Sequence, residues 1–143
     1  MSPSYGRDYP FVFKKGKGAY IWDTEGKKYL DFAAGIAVLG SGHSNSAIAS
    51  AVKKQLRYGT HCAFPDFYAE LPVAFSEALL RQMPSPLNKG RVFLSNSGTE
   101  AVEAALKLAK WKKRGECVIA FDHSFHGRTM GSLSMTNSKP VQR

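Results

Sequence analysis

The strongest constraint on the fold of this chain lies in its second half. A short apolar run at Arg91 to Leu94 is followed by a helical pattern from Gly98 to about Lys113, a second apolar run at Cys117 to Phe121, and a loop from Asp122 to Arg128. Strand, helix, strand at this spacing predicts a βαβ unit, because parallel strands need a long crossover between them. Function in such sheets collects beyond the carboxyl ends of the strands. The loops at 95–100 and 122–129 are therefore expected side by side.

The first loop reads Ser95-Asn96-Ser97-Gly98-Thr99-Glu100 and opens the long helix. Unpaired N–H groups and the positive end of the helix macrodipole make that position suitable for an anion. Ser97 and Glu100 also match the S-x-x-E capping box, in which the hydroxyl serves the helix's own amides. Gly98 allows close approach to a phosphate and Thr99 adds a second hydroxyl, so phosphate site and simple helix cap both stand. The charge order of the helix, Glu100 and Glu103 first and Lys110, Lys112, Lys113 and Arg114 last, supports the helix without adding a function.

In the second loop, Phe125 can stack on a flat ring, His126 can hydrogen-bond it, and Arg128 can hold a carboxylate in a bidentate pair. A core aromatic, a satisfied histidine and a surface arginine are the ordinary roles of the same residues. His123 and His126, with His61 and Cys62, follow no known zinc-ligand spacing, so no metal is expected. Gly16-Lys17-Gly18 lacks the third glycine of a dinucleotide fingerprint, and neither a P-loop nor a G-x-S-x-G elbow occurs.

Upstream, Ala19 to Phe32 holds two aromatic and β-branched runs around Asp23-Thr24-Glu25-Gly26, which predicts a β-hairpin. A small-residue loop, Ala34 to Asn45, precedes a helix from Asn45 or Ser46 to about Arg57, with Ile48, Val52 and Leu56 on one face and Asn45 or Ser46 as cap. Residues 58–66 read as irregular. Tyr68 to Met83 is again helical, with Pro72 tolerated in the first turn and Pro84 and Pro86 beyond its end.

Composition narrows the classes. At 143 residues, 43% hydrophobic and 22% charged, the chain is neither disordered nor fibrous. A chain of this length is expected to bury roughly two-thirds of its unfolded surface. The apolar runs are too short to cross a bilayer, Met1 to Pro10 lacks the pattern of a secretory signal, and two cysteines form no disulfide framework, so a cytoplasmic location is expected. The net charge of +9 raises a polyanion as partner, yet the basic residues are scattered and form no arginine-rich arm; solvated surface explains them and no nucleic acid is expected.

Three segments in this order, GAYIWDTEGKKYLDFAAGIAVLGSGH, NSGTEAVEAALKLAK and SFHGRTMGSLSMT, resemble the class III pyridoxal-phosphate aminotransferases of fold type I. The chain is most similar to the 4-aminobutyrate, ornithine and acetylornithine aminotransferases, and its ending resembles archaeal 4-aminobutyrate or ornithine members. The resemblance implies an α/β fold in which residues 1–60 contribute to the small domain and dimer interface and 61–143 begin the large, mostly parallel, cofactor-binding domain. It implies pyridoxal 5'-phosphate as cofactor, with Gly98 and Thr99 on its phosphate, Ser97 close by, Phe125 stacked on its ring and His126 at its edge. Arg128 then binds a substrate carboxylate, and Ile36 and Val38 line the substrate pocket near the dimer interface. The implied chemistry moves an amino group from an ω-amino acid to 2-oxoglutarate in a homodimer. The chain departs from many relatives at Gly42-His43-Ser44-Asn45-Ser46, where they carry an aromatic or histidine and then a proline after Gly-His. No lysine here stands at the place of the family's Schiff-base lysine, so the chain is expected to be the N-terminal third of an enzyme and inactive alone. A racemase or aminomutase of the same family shares every quoted motif, and a non-catalytic phosphate-binding module is the reading from a different class.

Overall fold

A computed structural model describes Gly6 and residues 9–139. Arg7 and Asp8, within the segment read for a secretory signal, lie outside the described residues, as do 140–143 at the end of the sequence. The chain divides into two units, Met1–Tyr68 and Ala69–Arg143.

The first unit is built on a three-stranded antiparallel sheet in the order β1 (Phe13–Lys17), β2 (Tyr20–Asp23), β3 (Lys28–Leu30). The expected hairpin is β2 with β3, in the register Tyr20 to Leu30, Ile21 to Tyr29 and Trp22 to Lys28. Its turn is held by Asp23, whose Oδ1 accepts the N–H groups of Glu25 at 3.0 Å and Lys27 at 2.8 Å, while the Tyr29 hydroxyl donates to Oδ2 at 2.7 Å. These bonds, the Tyr29 hydroxyl foremost, hold the Asp23 carboxyl below its ordinary value. β1, with the sequence FKKGK, carries no apolar alternation and is not legible as a strand; it pairs with β2 through a tight turn at Gly18 and Ala19, with an irregularity between Phe13 and Lys15.

Beyond β3 the chain makes an unusual turn, α1 (Ala34–Ala37), in which Ala34, Gly35, Ile36 and Ala37 all have φ between 45° and 66°. Left-handed backbone costs non-glycine residues free energy, so contacts outside the turn must hold it. The helix α2 (Ser46–Leu56) follows, capped as expected by Asn45, whose side chain accepts from Ala47 at 3.0 Å and Ile48 at 3.3 Å.

The second unit holds α3 (Glu70–Gln82), a 3-10 turn at Leu87–Lys89, α4 (Gly98–Lys113) and α5 (Met130–Met135). Both long helices lie where the sequence put them, with Pro72 in the first turn of α3. The expected βαβ unit is not formed. Neither Arg91 to Leu94 nor Cys117 to Phe121 pairs as a strand, and among the described residues no parallel pair exists. A strand exists only with a ladder partner, and an apolar run of this kind needs cover on both faces. Here Phe93 is 75% exposed, Ile119 90% and Phe121 80%.

The expected burial also fails. Ile48, Val52 and Leu56 of α2 and Leu71 and Phe75 of α3, on the faces that the helical periodicity marks as apolar, all remain more than half exposed. Among the described residues the buried polar or charged side chains are Asp23, Ser132 and Thr136, and no hydrophobic side chain is buried.

Candidate functional site

The N-terminus of α4 and the loop before α5 meet in the second unit. They enclose an open cavity of about 620 Å³ lined by Ser97, Gly98, Thr99, Val102, Phe125, His126, Gly127, Arg128 and Thr129. All six expected site residues of the two loops stand on this one cavity. Ile36 and Val38 belong to the first unit, where they flank the end of the left-handed turn and are 92% and 75% exposed.

On the helix side, the Ser97 hydroxyl accepts the N–H of Glu100 at 3.3 Å, so the expected cap is present. The reciprocal half of the capping box is shifted by one residue: the Glu100 carboxylate accepts from the N–H of Asn96, at 2.7 Å, instead of from Ser97. The backbone N–H groups of Gly98 and Thr99 lie in the first turn of α4, where a helix has no partner of its own to offer them. A Cβ at Gly98 would meet nothing within 4 Å, so the space beside this residue is open.

The Thr99 hydroxyl is engaged in a different way from a simple second ligand. It lies 2.6 Å from the Ser132 hydroxyl and 2.9 Å from that of Thr129. This joins the two walls of the cavity. Gly127 sits at the junction with φ of 127°, and a Cβ there would collide with Thr99 and lie 2.6 Å from the Ser132 hydroxyl. Only glycine fits both the backbone angle and the space.

The second wall is fixed from behind by residues that the sequence does not single out. Thr136, fully buried, accepts the N–H of His126 at 3.0 Å and shares its hydroxyl proton between the carbonyls of Gly127 at 2.9 Å and Ser132 at 3.0 Å. Asn137 donates its N–H to the carbonyl of Ser124 at 2.9 Å and its side-chain amide to Asp122 at 2.5 Å. Phe125, on this anchored loop, lines the cavity and keeps 54% of its surface exposed.

Glu103 is the other residue whose role is tertiary. Its Oε1 accepts from the Thr129 hydroxyl at 2.5 Å and from the N–H groups of Gly131 at 2.9 Å and Ser132 at 3.0 Å. The Thr129 bond first, then the two amides and the charge of Lys107, hold its carboxyl below the ordinary value against the opposing cost of partial burial. The sequence signal was present only as a carboxylate four residues after Thr99 on the same helix face.

A family model described as aminotransferase class-III matches residues 2–143. The chain is 46% identical over 134 residues to the acetylornithine aminotransferase of Methanopyrus kandleri, covering 93% of this chain and 33% of that one. It is 37% identical over 131 residues to the 5-aminovalerate aminotransferase of Pseudomonas aeruginosa, covering 92% and 30%. Among solved structures, an ω-transaminase from Sphaerobacter thermophilus superposes with a TM-score of 0.79 at 34% identity, over 90% of this chain and 28% of that one. The ω-transaminase of Pseudomonas jessenii in complex with PMP superposes at 0.85 with 26% identity, over 94% and 30%. The chain spans about a third of the length of the curated relatives it matches.

Proposed function

Because the chain belongs to the class III aminotransferases, whose fold it shares, we propose that it serves as the N-terminal third of a pyridoxal-phosphate enzyme moving an amino group from an ω-amino acid to a 2-oxo acid. The observation that carries this reading is the meeting of the α4 N-terminus and the Phe125–Arg128 loop on one cavity.

The residues present fit the cofactor. A phosphate needs unpaired donors in a positive field, and the open first turn of α4 supplies them at Gly98 and Thr99, with Ser97 adjacent. A flat aromatic ring needs a flat partner, and Phe125 offers a half-exposed face on the same cavity. When bound, pyridoxal phosphate supplies an electron sink for removal of a proton from the carbon bearing the amine. The protein's share here is to hold and orient: the Gly98 and Thr99 amides anchor, Phe125 stacks, His126 hydrogen-bonds the ring edge, and Arg128 grips a substrate carboxylate.

The names of the relatives support the substrate class. Acetylornithine and 5-aminovalerate both carry an amine on a chain that ends in a carboxylate, which suits the exposed Arg128 on the cavity lining. Ile36 and Val38 would narrow the substrate pocket. Residues 1–60 would serve the small domain and dimer interface and 61–143 the large domain, in a cytoplasmic homodimer whose remaining chain and second subunit cover the apolar faces left open here.

The test uses the full-length protein with pyridoxal phosphate and 2-oxoglutarate. Glutamate formation with acetylornithine, ornithine, 4-aminobutyrate or 5-aminovalerate is the expected result. Absence of glutamate with every donor overturns the reading, and racemised or rearranged donor in its place identifies the racemase or aminomutase.

A further inference from the structure

We propose that Glu103 is a positioning residue of this site: its carboxylate, lodged in the first turn of α5, sets the Gly127–Thr129 wall of the cavity at its working distance from Gly98 and Thr99. The proposal rests on the phosphate-site reading above.

The geometry has three parts. Thr99 and Glu103 are four residues apart on α4, so their side chains share one face. α5 has only six residues, too few to hold its own position; a capping box between Thr129 and Ser132 serves the Ser132 amide locally, while the Gly131 amide has Glu103 as its partner. Glu103 supplies the partner for Gly131 and Ser132 together, and takes the Thr129 hydroxyl on the same oxygen.

Thr129 and Ser132 are in turn the residues whose hydroxyls meet that of Thr99. The carboxylate therefore closes a ring from α4, through α5, back to the residue at the mouth of the anion cradle. Gly131 admits the close approach, since a Cβ there would collide with the Glu103 carboxylate. A glutamate serving only the surface of α4 would need none of these partners.

The experiment compares affinities of the full-length protein for pyridoxal phosphate and for pyridoxal, by equilibrium dialysis, because their ratio isolates the phosphate. Glu103→Ala and Glu103→Asp, which removes the carboxylate or withdraws it by one methylene, should each lower the ratio roughly tenfold, the weight of one hydrogen bond to a charged group. Glu103→Gln keeps a carbonyl oxygen for the same donors and should hold the ratio within about threefold of wild type. A purely structural glutamate would lower the melting temperature and leave the ratio unchanged; an unchanged ratio in Glu103→Ala and Glu103→Asp overturns the proposal. Where Glu103→Ala does not fold, Glu103→Asp decides alone. A wild-type protein with no preference for the phosphorylated form overturns the phosphate-site reading itself.

Discussion

Nε2 of His43 stands 2.6 Å from Oδ2 of Asp31, across the twelve residues that contain the left-handed turn. The other carboxylate oxygen of Asp31 accepts the N–H groups of Ala33 at 3.0 Å and Ala34 at 2.9 Å, at the entry to that turn. His43 is itself pinned to the sheet, exchanging both backbone hydrogen bonds with Gly18, and its ring lies where a side chain on Gly16 would have to be. One carboxylate thus ties the start of the loop to its end and the end to the sheet, which accounts for the persistence of positive φ at Ala34, Ile36 and Ala37.

Asp31→Asn should loosen this loop in a pH-dependent way. The His43 ring first, then the Ala34 and Ala33 amides, hold the Asp31 carboxyl below its ordinary value. A lowered folded value stabilises the protein above the unfolded value, near pH 4, and that contribution is lost as the pH falls through the folded value. Thermal unfolding of the full-length protein should show a lower melting temperature for the variant at neutral pH, with the difference closing below about pH 4. A difference that stays constant into acid would contradict the assigned role.

Gly127→Ala should damage the site more than the fold. The positive φ and the collision with Thr99 are expected to cost about 1–3 kcal/mol of stability. Because the displaced group is the junction of the two cavity walls, affinity for pyridoxal phosphate should fall by at least about tenfold. Fluorescence titration reads the second effect and chemical denaturation the first.

Thr136→Val keeps the shape of the side chain and removes its hydroxyl. The N–H of His126 then loses its acceptor in a buried place, at an expected cost of about 1–3 kcal/mol. Urea unfolding of the full-length protein measures it. Thr136→Ser should recover most of the loss.

Asn45→Ala removes the acceptor for two N–H groups at the start of α2, for an expected loss of about 1 kcal/mol, whereas Asn45→Asp should be nearly neutral. The same unfolding assay distinguishes them, and neither variant should change cofactor affinity.

What the sequence alone determined is local. The helices at 46–56, 70–82 and 98–113, the caps at Asn45 and Ser97 and the turn at Asp23 to Gly26 follow from periodicity and capping chemistry, which act within about a dozen residues; the meeting of the two site loops was expected from a βαβ unit that does not form, and the Thr99, Thr129 and Ser132 hydroxyls join them instead. Tertiary structure decided the rest. The apolar runs at 91–94 and 117–121 read as strands, but a strand is a relation between two segments and these find no partner among the described residues. The basic run at 13–17 reads as no strand at all, yet becomes one because β2 offers it a ladder. Glu103 and Thr136 read as one more charge on a helix and one more threonine in a loop. Their importance arises from partners 26 to 29 residues away for Glu103 and 4 to 10 residues away for Thr136, and only the folded chain brings donor and acceptor together.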